Sequence, residues 1–369
     1  MSAILKSSTE PDKSVQALPS LRVLTSHIHL QDNQYITCLW SSVKQHGVDV
    51  DLLRLTQIIA QKIIGGQKMA DVIHLHWVQK FCPLAHKKTP QAFLSTLKYL
   101  VGFIFLKLQG YKFVWTVHNT FSHDPKLPSI EYGFRWILSR ICNDIIVMSE
   151  YGKQEFIQMF GRSQHIHIIP HGNYIGAYPN RISRSEARQK LGIAPDQKVF
   201  LHLGQLKPYK GINQLLVAFS QIRESDAVLL IAGSCKDDQL AEEIQQAARS
   251  DSRVLLKLEF IPDEDIQLYM NACDWVVLPY QKILNSGSAL LALSFSRPVI
   301  VPQKGALTEL IEDSKQGFCY AEDGDLAKSI DRALNTPVEQ WKEMCAQAFT
   351  LAEQLDWSRI GTLVYHVYQ

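Results

Sequence analysis

Short apolar runs of strand length alternate with longer helical patterns along most of this 369-residue chain. In the first half, Leu21–Thr25, Val72–Trp77, Phe113–Val117, Ile145–Met148 and Ile166–Ile169 are β-rich runs, several of them leading into His, Trp or Pro. Helical patterns stand between them, one closing near His46-Gly47 and another running from Glu150 to Phe160. The second half repeats the plan more regularly. Strands are expected at 198–203, 227–232, 253–258, 274–278 and 298–301, and helices at 211–223, 236–249, 263–272, 288–296 and 305–313. This alternation predicts an α/β chain with two Rossmann-like, doubly wound parallel sheets. Tyr178–Asp196, with its Pro, Arg, Ser and Gly, reads as a linker and a short helix. The last thirty residues read as helical and are expected to cross back onto the first domain. The resulting division is a loose leader over 1–19, an N-terminal domain over 20–177, a C-terminal domain over 178–345 and a returning helical segment over 346–369.

In open parallel sheets, ligands gather beyond the carboxyl ends of the strands. Two such places stand out in the second half. In VFLHLGQLKPYKG (199–211), an apolar run breaks at Gly204 and delivers Lys210 and Gly211 just before a helix. In the second, a strand ends at Leu278-Pro279-Tyr280, and Ser286-Gly287-Ser288 then opens another helix. A helix N-terminus exposes unpaired N–H groups at the positive end of the helix dipole, so each turn can cradle a phosphate. Two cradles and a lysine suit a diphosphate, as in a nucleotide-sugar. Lys210 is the strongest candidate for stabilising a departing diphosphate, and Gln205 can donate hydrogen bonds but no charge. Ser286 also reads simply as a helix cap.

Charge and cysteine content narrow the classes further. The 38 basic and 36 acidic residues nearly cancel, so no broad field recruits nucleic acid. Seven cysteines (38, 82, 142, 235, 273, 319 and 345) are scattered and odd in number, which reads as reduced core thiols in a cytoplasmic protein. No cleaved signal peptide is expected. No Asp-x-Asp pair is placed to bridge a diphosphate through a metal, so a metal-free site is expected. His74 and His76 point to one strand face but lack a third partner for zinc, and read as structural histidines. Residues 86–112 hold an apolar stretch, Tyr99–Leu106, flanked by Lys87, Lys88, Lys98, Lys107 and Lys112. It reads either as a buried helix or as a monotopic contact with the inner face of a membrane.

Beyond these readings, the chain resembles the GT-B glycosyltransferases, particularly glycosyltransferase family 4. The resemblance rests on residues 199–220 together with DVIHLHW (71–77), WTVHN (115–119), IIPHGNY (168–174), PDEDIQLYMNACDWVVLPY (262–280) and SRPVIVP (296–302), in order across both halves. It implies a nucleotide-sugar donor held by the C-terminal domain and an acceptor held by the N-terminal one. It implies donor contacts from His118 and His171, with backbone near Ile261 reading the base. Two departures qualify it. The family's arginine after the glycine is Gln205 here. Its two glutamates near the donor sugar fall, on alignment at Pro298, on Ile283 and Leu291. In this the chain is similar to bacterial exopolysaccharide β-mannosyltransferases of the xanthan type, which implies inverting transfer from GDP-mannose onto a glycan or lipid-linked oligosaccharide. An inverting reaction needs one base. Asp124, with His118 beside it on the acceptor side, is the candidate, and Asp32 its rival. Glu309 reads as a residue in a helix's first turn. The alternatives are a nucleotide-sugar epimerase, a phosphorylase-like use of the fold, or a sugar-nucleotide-binding protein without catalysis.

Overall fold

In the computed structural model, residues 21–27, 34–122 and 125–369 are described. The leader over 1–19, Asp32 and Asp124 lie outside them. The first sheet holds β1 (Arg22–Thr25), β2 (Asp49–Leu52), β3 (Val72–Leu75), β4 (Lys112–Thr116), β5 (Asp144–Val147) and β6 (Ile166–Ile168). Its order is β2-β1-β3-β4-β5-β6, with every pairing parallel. The second holds β7 (Lys198–Leu203), β8 (Ala227–Ala232), β9 (Val254–Lys257), β10 (Trp275–Val277), β11 (Val299–Pro302) and β12 (Gly317–Tyr320). Its order is β12-β11-β10-β7-β8-β9, again all parallel. Two strands were not expected. β2 reads DVDL with only Val50 buried, and β12 begins with a glycine, so neither carries a sustained apolar signal.

Helices cover both sheets: α1 (Gln34–Lys44), α2 (Leu55–Ile63), α3 (Pro90–Leu108), α4 (Pro128–Ile141), α5 (Glu150–Phe160), α6 (Arg184–Leu191) and α7 (Ile212–Ser220). They continue with α8 (Asp238–Ser250), α9 (Ile266–Ala272), α10 (Gly287–Ser294), α11 (Leu307–Leu310), α12 (Leu326–Leu334), α13 (Val338–Gln354) and α14 (Trp357–Tyr368). Strands buried on both faces, such as β4, β5 and β8, make the centre of each layer. Phe113 and Trp115 of β4 pack with Phe103 and Phe156, each side chain contributing about 1.5–3 kcal/mol.

The end of the chain links the two domains. Ala348 and Ala352 of α13 belong to the C-terminal core, whereas Ile360, Val364, Val367 and Tyr368 of α14 pack with Ile36 and Leu39 of α1. Asp356 caps α14 through Ser358 N and Arg359 N at 2.8 and 3.2 Å. The crossing therefore lies at Leu355–Asp356, and the expected break at 345/346 falls inside α13. Gly361 permits the α1–α14 approach, since a Cβ there would lie 2.0 Å from Ser42 Oγ. A second difference concerns β3, which stops at Leu75 instead of reaching Trp77. Trp77 takes φ 35°, ψ 63°, a left-handed turn that aims its indole at the interdomain cleft.

Candidate active site

Each sheet reverses its strand order once. β1 is flanked by β2 and β3, and β7 by β8 and β10, so the loops leaving β1, β3, β7 and β10 open at the two switch points, where α/β sheets bind ligands. These ends face one another across a cleft of about 920 Å³. His118, His171, Lys210, Tyr280, Ser286, Gly287 and Ser288 all line it.

On the C-terminal side the two cradles are locked together. Gly211, at φ +74°, lies so close to the other loop that a Cβ would meet Pro279 O at 1.9 Å, and Gln281 N donates to Tyr209 O at 2.9 Å. Gly204 takes φ +123°, and a Cβ built on it would lie 3.3 Å from Lys210 Nζ and 3.9 Å from Ser288 Oγ. The bare Gly204 Cα, the ammonium and the serine hydroxyl thus converge on one small volume. Lys210 forms no ion pair among the described residues, and burial lowers its pKa to about 8. A buried cation without a carboxylate is costly unless an anion arrives to match it. Ser286 caps α10 through Ala289 N at 3.1 Å, which satisfies the capping role, and its Oγ also reaches the buried Tyr280 hydroxyl at 3.4 Å. The Gly287 and Ser288 amides at the start of α10 are left as the anion-facing donors.

Two expected binding residues, Gln205 and Ile261, sit apart from this centre. Gln205 is exposed and does not line the cleft, because Leu206 turns inward and its N–H donates to Ser234 O at 2.9 Å. Gly204 contributes backbone shape only. The Ile261 side chain is buried in the C-terminal core and is absent from the cleft wall. Ile283 and Leu291, at the positions of the family's glutamates, both line the cleft.

The N-terminal side is a cluster of rings. His118 stacks on Trp77, centroids 4.0 Å apart and 8° from parallel. His76 Nδ1 and His118 Nε2 are 3.0 Å apart, so one of these neutral rings donates to the other. His74 is held between the Tyr368 hydroxyl at 2.6 Å and Thr116 Oγ1 at 2.7 Å, which gives it a structural role. Burial pushes His74 down to about 3, and burial with neighbouring imidazoles pushes His76 and His118 well below the ordinary value. His171 is lowered by burial to about 4 and donates Nδ1–H to Gly172 O at 2.6 Å. Its Nε2 is then an acceptor, 3.4 Å from the Tyr174 hydroxyl and near Gly287, and is suited to hydroxyls rather than to phosphate. Histidines this weakly basic are poor general bases at neutral pH. Among the described residues, no group of three or more His, Cys, Asp or Glu is arranged to hold a metal ion.

Several working residues escaped the sequence reading. The buried Glu131–Arg135 pair, at 2.7 Å on α4, organises the wall loop that leads to Asp124. Glu131 Oε1 accepts from Ser122 N and Oγ at 2.9 and 2.7 Å, and Arg135 donates to Asn119 O at 2.9 Å. Its i, i+4 spacing was the available signal. Glu309 lies in the first turn of α11, as expected, and its carboxylate reaches the N-terminal domain. It accepts from Glu150 N at 2.9 Å and Tyr151 N at 2.5 Å, capping α5 of the other domain. Glu155 of α5 lines the cleft, and is the one carboxylate to do so among the described residues.

Comparison with known proteins agrees with this geometry. Residues 183–349 match the family of glycosyl transferases group 1, and residues 52–173 match Glycosyltransferase Family 4. The GDP-mannose:glycolipid 4-beta-D-mannosyltransferase of Xanthomonas campestris pv. campestris is 25% identical over 366 residues, spanning 98% of this chain and 96% of that protein. Anabaena HepE in complex with UDP-glucose superposes with a TM-score of 0.71 at 20% identity, covering 94% of this chain and 98% of that one. Sucrose-phosphate synthase from Thermosynechococcus elongatus gives 0.74 at 16% identity, covering 95% and 98%.

Proposed function

We propose, from the premise that this chain belongs to the GT-B glycosyltransferases of the group 1 and family 4 type, that it moves mannose from GDP-mannose to a lipid-linked saccharide with inversion. The observation that carries the donor half is the convergence of Lys210, Gly204 and Ser288 at the C-terminal switch point. A nucleoside diphosphate gains negative charge as it departs. Lys210 and the amides opening α10 are fixed where that charge would develop, so they stabilise the transition state more than the ground state. This charge is supplied without a metal, and activity is expected to survive chelation.

Support for inversion comes from Ile283 and Leu291. Neither can accept a hydrogen bond from a sugar hydroxyl or offset positive charge on the ring, so a retaining route lacks its usual carboxylates. A single displacement needs the diphosphate cradle and one base on the opposite face. Asp124 is assigned that base; Asn119 and Ser122, which precede it in the sequence, are held by Arg135 and Glu131. His118 and His171 are assigned to sugar hydroxyls, and backbone beside Ile261 to the base of the nucleotide.

The lipid-linked acceptor draws support from α3. Phe103 is fully buried, so the stretch Tyr99–Leu106 does not face outward as a whole. The outward stripe is Phe93, Leu94, Leu97, Val101, Ile104 and Leu108, with the exposed Lys87, Lys88 and Lys98 nearby. No Asp or Glu occurs between Asp71 and Asp124. An apolar stripe edged by lysines suits the interface of an anionic bilayer. The test is incubation with GDP-mannose and a membrane glycolipid fraction, followed by NMR of the new anomeric centre. A β-linked mannoside is the expected product. An α-linkage overturns inversion, and tight donor binding without any transfer favours the non-catalytic alternative.

A further inference from the structure

Trp77 is a bulky aromatic residue at φ 35°, a conformation that costs an L-residue roughly 1–2 kcal/mol and is rare for large side chains. Strain of this kind persists where the surrounding structure fixes a side chain for use. Here it turns the indole out of β3 at the N-terminal switch point, opposite the diphosphate cradle, so that the ring lines the cleft. One indole face lies flat on His118 at 4.0 Å. Tyr35 is perpendicular to both rings, 5.0 Å from His118 and 6.3 Å from Trp77, distances that place it beside the stack and not over the outer indole face. His27, half-buried, meets the indole at 5.2 Å and 79°.

From this placement, and resting on the glycosyl-transfer reading, we infer that Trp77 is the platform for the acceptor's terminal pyranose. The apolar C–H face of a pyranose carries partial positive charge and fits the negative face of an indole. The Asn119 side chain lines the same cleft and can serve the sugar's hydroxyls. The chemical class is therefore a pyranoside with one face rich in axial C–H bonds, such as a β-glucoside. His118, on the inner indole face and assigned to the donor sugar, lines the same cleft, so acceptor and donor share one chamber.

Saturation-transfer NMR with methyl β-D-glucopyranoside, recorded in the presence of GDP, tests the inference. In the wild-type protein H1, H3 and H5 should receive the strongest saturation. Trp77→Ala should weaken the signal by about fivefold, and Trp77→Phe should keep part of it. GDP-induced thermal stabilisation should be the same in all three. Trp77→Gly, which relieves the left-handed strain, should melt above Trp77→Ala while binding the glycoside no better. Equal saturation in wild type and Trp77→Ala, or no saturation in wild type while GDP still stabilises the protein, overturns the platform alone. If GDP gives no stabilisation of the wild type, the donor reading beneath it fails as well.

Discussion

The two walls of the cleft solve their tasks with different materials. The C-terminal wall is made of glycines, a capped helix and one lysine, arranged around backbone N–H groups. The N-terminal wall is made of side chains: His27, His74, His76, His118 and His171, with Trp77, Tyr35, and a carboxylate–guanidinium pair behind them. A phosphate cradle depends on backbone shape that only certain residues allow, so it leaves a local signature. A sugar-facing wall of rings depends on contacts between segments far apart in sequence.

That difference sets how much could be read from the chain. Gly204, Lys210, Gly211 and Ser286–Ser288 were legible because each sits at a strand-to-helix turn where its residue type has a physical reason. The alternation of strands and helices was legible on similar grounds, although β2, with its two aspartates, and β12, opening on Gly317, did not register. The ring cluster was not. His74 bonds to Tyr368, 294 positions away, and Glu309 caps a helix 159 positions away. Trp77 reads as the last residue of an apolar strand, and only its backbone dihedral reveals that it turns outward.

The contrast can be broken most severely from behind the N-terminal wall. Glu131→Ala leaves Arg135 buried and unpaired, and should cost about 3–5 kcal/mol, visible as a large fall in the denaturation midpoint. A small change there would mean that the wall loop is held by other contacts.

On the C-terminal wall the expected effect is catalytic. Lys210→Ala should lower kcat on the order of 10²-fold with the fold intact. The ammonium also sets a pH limit. With its pKa lowered to about 8, it loses its charge as pH rises through that value, so donor kcat/KM should fall on a basic limb near pH 8. Lys210→Arg should move that limb beyond the measurable range. A wild-type profile flat to pH 10 would remove the lysine from the donor site.

A smaller effect, acid sensitivity, is shared by the two walls. His74, in the N-terminal wall, and His202, beneath Lys210, are both lowered to about 3 by burial. Above pH 6.5 each is neutral folded or unfolded and has no effect. Below it the unfolded chain binds protons that the folded one refuses, so stability falls by about 1.4 kcal/mol per pH unit for each. The melting temperature should drop between pH 6.5 and 5, and His74→Asn should flatten part of that drop. A melting temperature constant across the interval would contradict the buried neutral assignment.

The smallest effect on stability is expected at α3. Replacing Leu94, Leu97 and Val101 with Glu should abolish sedimentation with anionic vesicles and leave the melting temperature nearly unchanged. Phe103→Glu should unfold the N-terminal domain. If the triple variant unfolds too, the stripe packs against protein and not lipid.

The central claim is that the joined turns at 204–211 and 278–288 form a diphosphate site. Calorimetric titration of GDP, GMP and mannose into the wild type and Lys210→Ala tests it most directly. GDP should bind the wild type far more tightly than GMP or mannose, and Lys210→Ala should weaken GDP by about tenfold or more while hardly affecting GMP. Equal GDP affinity in the two proteins, or no preference for the diphosphate over GMP, would contradict it.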